Sequence, residues 1–480
     1  MSSFIKTFSL FVFSIGFLVP SQARADEEKL GLEDVLSNVR QQYPPLLAAM
    51  TQQDIATGRV REAVGAFDPI LTATLNLRIA NFYDGDYGEV LYSKPLLESG
   101  GEIYGGYRLS SGFLADYERK YRTANLGEAV VGAKIPLLKN RSFDKRRAKL
   151  AKAQLDQELI KPEILKLHLA FLRTARLSYY EWLAAGHSLA VTEQLLAIAK
   201  DRAIALEAQI KEGAIAPILQ IDNQGLVVKR ELATIKAQRK FDAAAITLSL
   251  FHRNVETGEP IIATRDELPD SFPALLLLEE LTLVSDRGRA IFRRPEVRQI
   301  DLYLKKNRVD LRLANNNLKP NLDFAIELNQ ALGDGRDSDI DATEINAFLK
   351  YSIAIGQNEA KGRREAVDAY YRELLIKQKY AREKIFADAT DAFSAVQAAY
   401  QMLDRSDLNV QLAEKLQVAE NAKFENGASD LLALQIREQK TFDAKLTQIE
   451  AVATYFKKLA DYYAAVARDA PSHLTPITPR

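Results

Sequence analysis

Two helical stretches, each far longer than a globular domain needs, constrain the fold of this 480-residue chain most strongly. Across residues 146–210, leucines recur at helical spacing, and Pro162 is expected to bend the helix rather than end it. A helix of this length spans roughly 90–100 Å, since each residue adds about 1.5 Å, whereas an average helix has about 11–12 residues. Gly213 is predicted to end it. A returning helix is predicted over residues 217–251, so this segment indicates a long helical hairpin.

The order of elements repeats in the second half, which indicates an internal duplication. A second long helix is predicted to run to about residue 424, a break follows at Gly427, and a last helix returns to about residue 468. Arg146 and Arg363, at the starts of the long helices, lie 217 residues apart, while Gly213 and Gly427 lie 214 residues apart. Because the two offsets are nearly equal, a duplicated unit explains the pattern better than coincidence does.

Short segments with a period of two precede each hairpin, and this period predicts strands with one apolar face. Apolar and polar residues alternate over residues 70–83, 129–135, 322–329 and 347–355. Between the first two segments, a stretch rich in Gly, Tyr, Asp and Ser forms either an enlarged surface loop or an added strand pair, for instance around residues 103–109. The expected fold class is therefore mainly α, with two repeats of strand, strand and long helical hairpin.

The N-terminal residues and the composition limit where the chain works and what it binds. Lys6, an apolar run over residues 8–20 and the small residues Ala23 and Ala25 are typical of a secretory signal peptide, which we expect to be cleaved after Ala25. The alternative is an N-terminal membrane anchor. The 64 basic residues equal the 64 acidic ones, which argues against a nucleic-acid partner. The lack of cysteine excludes disulfides and thiolate metal sites.

The alternating strands have the length and the two-sided pattern of transmembrane barrel strands, which need about 9–11 residues. Four strands cannot close a barrel, because known barrels begin at about eight, so several chains would share one. The alternative is a soluble β-patch that caps a coiled coil. In a shared barrel, the charged residues of the strands would face a wet lumen; these are Arg78, Lys134, Asp323, Glu327 and Lys350. The hairpins that follow are amphipathic, and they form either a hollow tube or a solid bundle.

Four short motifs give the chain a resemblance to a known family. They are Leu30-Gly31-Leu32-Glu33-Asp34-Val35-Leu36 with Tyr43-Pro44, Phe67-Asp68-Pro69, Ile135-Pro136-Leu137-Leu138, and Arg294-Pro295-Glu296-Val297. In this order and spacing, nearly the whole mature chain resembles the TolC family of outer-membrane efflux proteins. The resemblance implies a homotrimer in which each chain gives four strands to a twelve-stranded β-barrel, continued by a periplasmic α-helical tunnel.

The resemblance also implies a function and its partners. It implies a passive exit duct of the cell outer membrane, surrounded by outer-membrane lipid, for tripartite efflux or type I secretion. A periplasmic adaptor (a membrane fusion protein) and an inner-membrane transporter would recruit it. The hairpin tips would contact the adaptor through Glu212, Gly213, Ala214, Asn426, Gly427 and Ala428. Glu212 and Asn426 stand where the family has an apolar residue.

Candidate gate residues follow the two tips. Some family members close the tunnel with a ring of carboxylates after the second tip, where this chain has Ala433. Asp430 lies near this position, Asp222 lies at a comparable place after the first tip, and these two are the candidates here. The competing interpretation is that both are solvated carboxylates at helix starts, where the helix dipole favours them. The basic clusters at residues 145–147 and 361–364 also have two interpretations. They contact lipid phosphates, or they are ordinary solvated helix starts.

These predictions divide the chain into ordered segments. They are a signal peptide (1–25); a first repeat (26–252) with an N-terminal helix, barrel strands within 66–138 and a hairpin at 142–252; an equatorial insertion (253–290); a second repeat (291–468) with barrel strands at 320–356 and a hairpin at 357–468; and a tail (469–480). The histidines are scattered, and no nucleophile–base pair or metal motif is recognisable, so we expect a non-enzyme without cofactor or metal. The acidic residues Asp337, Asp339 and Asp341 indicate an extracellular loop.

Two other classes of protein fit parts of the pattern. A periplasmic structural or adaptor-like coiled-coil protein would share the long hairpins, although an adaptor usually carries one hairpin between compact β-domains. A surface adhesin would share only the tyrosine-rich stretch over residues 83–121. The duplicated hairpins and the two-sided strands favour the duct.

Overall fold

The structure, a computed structural model, describes residues 29–80, 83–114, 121–334 and 343–470. The predicted signal peptide, the acidic residues Asp337, Asp339 and Asp341 and all but the first two residues of the predicted tail lie outside the described residues. Within these ranges the chain is mainly helical and carries one antiparallel sheet, so the expected fold class is confirmed.

The helices of the described ranges reproduce the duplicated order. They are α1 (Leu32–Gln42), α2 (Pro44–Met50), α3 (Gln52–Val64), α4 (Lys145–Lys211), α5 (Ile218–Leu248), α6 (Glu280–Arg293), α7 (Pro295–Asn317), α8 (Asn358–Glu425) and α9 (Leu431–Ala465). The two long helices have 67 and 68 residues, and Pro162 lies inside α4 without ending it. At about 1.5 Å per residue each is about 100 Å long. None of the described helices is both long enough and apolar enough to cross a membrane.

In the part of the chain that the structure describes, six strands form a single sheet in which every neighbouring pair is antiparallel. They are β1 (Ile70–Asn76), β2 (Asp86–Pro95), β3 (Glu102–Ser111), β4 (Glu128–Pro136), β5 (Asn321–Ala331) and β6 (Thr343–Ser352), and their order in the sheet follows their order in the chain. The expected count of four strands per chain is therefore wrong. Of the two possibilities for the glycine- and tyrosine-rich stretch, the added strand pair is the one formed, as β2 and β3.

Glycines explain why the added strands do not show a clear period of two. Gly88, Gly105 and Gly106 interrupt the alternation within β2 and β3. A second correction concerns β1, which ends at Asn76 rather than continuing to residue 83, so that Arg78 follows the strand instead of lying in it. The backbone N–H of Arg78 there donates to Asp86 Oδ1 at 2.9 Å.

The main core lies where the middle parts of α4 and α8 meet the C-terminal parts of α5 and α9. Trp182 and Tyr455 are fully buried in it, and the rings of Tyr180 and Phe456 stack with their centroids 4.7 Å apart. The core also holds the chain before α1, because the Tyr179 hydroxyl donates to the carbonyl oxygen of Leu30 at 2.9 Å. Burial of large aromatic side chains is the main source of stability at such a junction.

The segment between the two repeats packs on this core. Ala263 and Leu278 are buried in it, and the Tyr455 hydroxyl donates to the carbonyl oxygen of Leu276. In the segment at residues 253–290, no helix forms up to residue 279, and Glu280–Arg293 then forms α6. The prolines at residues 269 and 273 precede this helix.

Replacement of Trp182 by Ala should lower the free energy of unfolding by about 3–5 kcal/mol, because it leaves a cavity in the core. Urea unfolding followed by circular dichroism measures this loss. Leu167→Ala on the same helix is the matched control, since 40% of that side chain is exposed. Equal effects of the two substitutions would contradict a core centred on Trp182.

Candidate channel wall and hairpin tips

One face of the sheet carries an apolar row that crosses all six strands. The register aligns one residue from each strand in a single row: Leu71, Tyr92, Gly105, Val131, Leu328 and Ile345. Leu71 is 70% exposed, Val131 61% and Ile345 66%. A contiguous apolar face of this kind marks a surface that is covered by a partner or by lipid.

The opposite face is polar and carries four of the five predicted lumen residues. Lys134, Asp323, Glu327 and Lys350 all lie on it, since Asp323 faces Lys350 in the register and Lys134 Nζ lies 3.7 Å from Asp323 Oδ2. Arg78 lies beyond the end of β1. The sheet thus separates an apolar side from a charged side, as side chains alternate along each strand.

A cluster around Arg108 lies on this polar face. Its Nε donates to Glu89 Oε1 at 2.9 Å and its Nη1 to Glu327 Oε1 at 3.1 Å, while Glu128 Oε2 lies 3.9 Å from Nη1. One guanidinium thereby joins carboxylates from β2, β4 and β5. Only Glu327 of this cluster was among the predicted residues, because the strands that carry Glu89 and Arg108 lack a visible alternation.

Gly132 allows a tyrosine to complete this cluster. A Cβ at Gly132 would lie 2.3 Å from Cζ of Tyr104, so the ring fits across the strand only because no side chain is present. The Tyr104 hydroxyl then donates to Glu327 Oε2 at 2.8 Å. An aromatic ring over a strand glycine restores the packing that the glycine lacks.

The two hairpin tips have the same main-chain geometry. At the first tip, the N–H of Gly213 donates to the carbonyl of Ile210 at 2.9 Å, and that of Ala214 to Gln209 at 2.9 Å. At the second, Gly427 donates to Phe424 at 3.0 Å and Ala428 to Lys423 at 2.8 Å. Both glycines have positive φ, +76° and +73°. This pair of bonds is the Schellman motif, which satisfies the last carbonyls of a helix.

The residues before these glycines end the long helices. Glu212 and Asn426 are the C-caps of α4 and α8, and the Asn426 side chain donates to the carbonyl of Ala422 at 2.7 Å. Glu212, Ala214 and Ala428 are exposed, so all of these tip side chains are accessible. Beside the second tip, the Ser429 hydroxyl donates to Glu420 at 2.6 Å, and this bond lowers the pKa of the Glu420 carboxyl.

The two candidate gate carboxylates have different environments. Asp430 is the N-cap of α9, and its Oδ1 accepts from the N–H of Ala433 at 2.7 Å. It therefore has a helix-capping role, as the competing interpretation requires. Asp222 lies exposed in the second turn of α5. The two residues lie on different hairpins, Asp222 on the first and Asp430 on the second.

In the first basic cluster, Arg147 has a structural role, whereas residues 145 and 146 lie at the surface. Arg147 donates to the carbonyl oxygens of Glu98 at 3.0 Å, Arg141 at 3.1 Å and Asn140 at 2.5 Å, so it fixes the chain at the start of α4. The side chains of residues 145 and 146 are exposed, as are those of residues 361, 363 and 364 in the second cluster.

Comparison with known proteins rests on structure alone. No protein-family model matches the chain, and no curated protein matches it. Among solved structures, the chain is similar to a membrane protein from Pseudomonas aeruginosa, with 14% identity, a TM-score of 0.66 and coverage of 95% of this chain and 96% of that chain. It is also similar to the CmeC outer membrane channel of Campylobacter jejuni, with 10% identity, a TM-score of 0.63 and coverage of 98% and 95%.

A third similar structure is the open state of the MtrE outer membrane channel of Neisseria gonorrhoeae, with 14% identity, a TM-score of 0.62 and coverage of 91% of this chain and 88% of that chain. The chain has the fold of these outer-membrane channels. The likeness spans nearly the full length of both partners in each case, so sheet and hairpins together belong to the channel fold.

A buried ion cluster joins the two hairpins of this channel fold. Glu438 on α9 accepts from both Arg202 on α4 and Arg230 on α5, with Arg230 Nη2 3.1 Å from Glu438 Oε2. Arg230 is 3% exposed and Glu438 4%. Burial lowers the pKa of the Arg230 guanidinium, although the hydrogen bond to Glu438 opposes this shift. No sequence pattern pairs these residues, as they lie more than 200 positions apart.

Glu438→Ala should lower the free energy of unfolding by about 3–5 kcal/mol, because it leaves two arginines near each other without a counter-charge. Chemical unfolding measures the loss. Glu450→Ala, at an exposed position of the same helix, is the control and should change stability by less than about 0.5 kcal/mol. A small effect at both positions would show that the buried cluster contributes little.

Gly213→Ala and Gly427→Ala should each lower the free energy of unfolding by about 1–2 kcal/mol, because a Cβ is strained at positive φ. The space around both glycines is open, so the strain is the only cost. Gly225→Ala and Gly362→Ala in the helices of the same hairpins are matched controls, also with open space. These controls should raise stability by about 0.5–1 kcal/mol. Effects of one sign at all four positions would contradict the tip geometry.

Proposed function

We propose that this chain is a passive exit duct of the outer membrane, working in tripartite efflux or type I secretion. The single observation that carries the proposal is the sheet with one exposed apolar face and one charged face, continued by two hairpins whose first helices are each about 100 Å long. A wall with these two faces suits lipid on one side and water on the other. The cargo is small molecules or proteins that leave the periplasm or an inner-membrane transporter.

The apolar face supports insertion into lipid. Val131, Leu349 and Tyr351 are each at least 60% exposed, and they occur on strands from both repeats. A soluble periplasmic coiled-coil protein, the alternative function, would have to cover this face with another protein. In the duct, with the apolar face in lipid, the polar face with Lys134, Asp323, Glu327 and Lys350 would line the lumen.

The assembly in this proposal is a homotrimer in the outer membrane, with the hairpins in the periplasm. One chain provides an open sheet and two hairpins, so a closed tube needs further copies. The exposed basic residues at 145–146 and 361–364 lie next to the sheet and suit the phosphates of lipid headgroups. The segment at residues 253–290 would surround the middle of the tunnel, because it packs on the core there.

The hairpin tips are the proposed docking ends for a periplasmic adaptor, which would connect the duct to an inner-membrane transporter. Glu212, Gly213 and Ala214 at one tip and Asn426, Gly427 and Ala428 at the other lie at the free ends of the hairpins. In the same proposal, Asp222 and Asp430 contribute negative charge near the tunnel entrance. For Asp430 this role adds to its capping bond, and Asp430→Asn would separate the two because Asn also caps helices.

Purified full-length protein should form pores in a planar lipid bilayer, visible as stepwise increases in conductance. Leu349→Arg should prevent pore formation, since a charge on a lipid-facing strand position costs about 2–4 kcal/mol per chain. Phe348→Arg is the matched control, because it is the next residue, lies on the polar face and is also exposed, 55% against 68% for Leu349. The control should still form pores.

A second readout is the location of the protein in the cell. Recovery in the outer-membrane fraction is expected for the wild type and for Phe348→Arg. Recovery in the soluble periplasm, together with no conductance, would overturn the duct and favour the coiled-coil alternative.

A further inference from the structure

We propose that three copies of this chain close one eighteen-stranded barrel, in which β6 of each copy pairs with β1 of the next. This inference rests on the trimeric duct proposed above and specifies its exit. Each free sheet edge is then occupied by another copy of the same chain, a different copy at β1 and at β6. The added hairpin of β2 and β3 would widen the barrel beyond the twelve strands that four per chain would give.

The β2–β3 hairpin is an integral part of the wall. Residues 86–95 pair with residues 102–111 along their whole length, β2 pairs with all seven residues of β1, and β3 pairs with β4 through seven residues. The apolar row passes through both added strands, with Tyr92 in β2 and Gly105 in β3. A surface loop folded outside the wall would lack this register.

Polar contacts also tie the added hairpin to the second repeat. Arg108 on β3 contacts Glu327 on β5, and so does Tyr104, across the intervening strand β4. These contacts lie on the polar face, opposite the exposed side chains of Val90, Tyr92 and Tyr107. The β2–β3 hairpin therefore has one polar face and one apolar face, as the other strands of the wall do.

Both edges of the sheet are free within the described residues. β1 has only β2 as a neighbour, and β6 has only β5. All seven residues of β1 are exposed, as are nearly all of β6. Unprotected edge strands promote pairing with other chains, and natural proteins cover them. A partner strand at each edge would cover these exposed strands.

The directions and faces of the edge strands suit pairing between copies. Six is an even number, so β1 and β6 run in opposite directions in the antiparallel sheet, and β6 of one copy meets β1 of the next in antiparallel orientation. Leu71 and Ile345 belong to the same row, so the apolar face continues across the junction without a change of side. Six strands alone are too few, since known barrels begin at about eight.

The consequence is a wide exit. The diameter of a barrel grows roughly in proportion to its number of strands, so eighteen strands give about 1.5 times the diameter of twelve. Barrels of about 16–18 strands already leave an open aqueous channel. The exit would accordingly admit bulkier cargo than a twelve-stranded one.

Electron cryomicroscopy of the purified full-length protein in lipid nanodiscs tests the proposal directly. The expected result is a trimer whose barrel shows eighteen strands. A trimeric pore with twelve strands, or with the β2–β3 hairpin outside the wall, would overturn this inference and leave the proposed duct intact. A dimer with twelve strands would also overturn it. Absence of any pore would overturn both.

Cysteine cross-linking provides a second measurement, because the chain has no cysteine of its own. Thr74→Cys on β1 is combined in turn with Glu344→Cys, Asn346→Cys and Lys350→Cys on β6, which scans the register on the polar face. One combination should give covalently linked trimers on oxidation, while Thr74→Cys alone should not. If no combination gives a linked trimer, β1 and β6 do not meet between copies and the proposal is wrong.

Discussion

The pairing of β4 with β5 is the contact on which the rest of the architecture depends. It joins the two repeats in one sheet, and the hydrogen bond from the N–H of Leu137 to the carbonyl of Leu322, at 2.7 Å, extends it beyond the strands. Because β4 and β6 run in the same direction, both long helices leave the same end of the sheet. The two hairpins must therefore lie side by side, and their contacts follow from this shared direction.

Side-by-side hairpins need to be held together along their length, and two different kinds of contact do this. In the middle, aromatic rings such as Trp182, Tyr180 and Phe456 pack in an apolar core. Closer to the tips, the hairpins meet through the buried Glu438 and its two arginines. Apolar packing tolerates small shifts, whereas a buried charge tolerates the loss of its partner poorly. The hairpin contacts near the tips therefore allow less change in geometry than the apolar packing in the middle does.

The sequence predicts the helical part well and the sheet only in part. Leucine spacing and the glycines at 213 and 427 locate both long helices to within a few residues, because helix period and helix ends leave local signals. Strands β4 and β5 alternate clearly and are also recognised. The strands β2 and β3 are not, because Gly88, Gly105 and Gly106 interrupt their alternation. Helix α6 is obscured by the prolines before it.

Some of the site residues can likewise be predicted from the sequence, and others cannot. The polar face is predictable where charged residues alternate with apolar ones, as at Asp323 and Glu327. The cluster around Arg108 and the triad around Glu438 are not, because a local pattern carries no information about partners distant in the chain. Asp430 illustrates a further limit: a carboxylate near a helix start fits a cap and a gate equally well until the bond to Ala433 is seen.

The hairpin tips have a consequence for how such a protein evolves. Each tip closes through main-chain hydrogen bonds and one glycine, and no other atom lies near the position of a glycine side chain. The side chains of neighbouring residues, such as Glu212 and Ala214, therefore take no part in holding the turn, although the main-chain N–H of Ala214 does. Substitutions there leave the turn intact, so the surface at this end can diversify by single mutations while the fold is conserved.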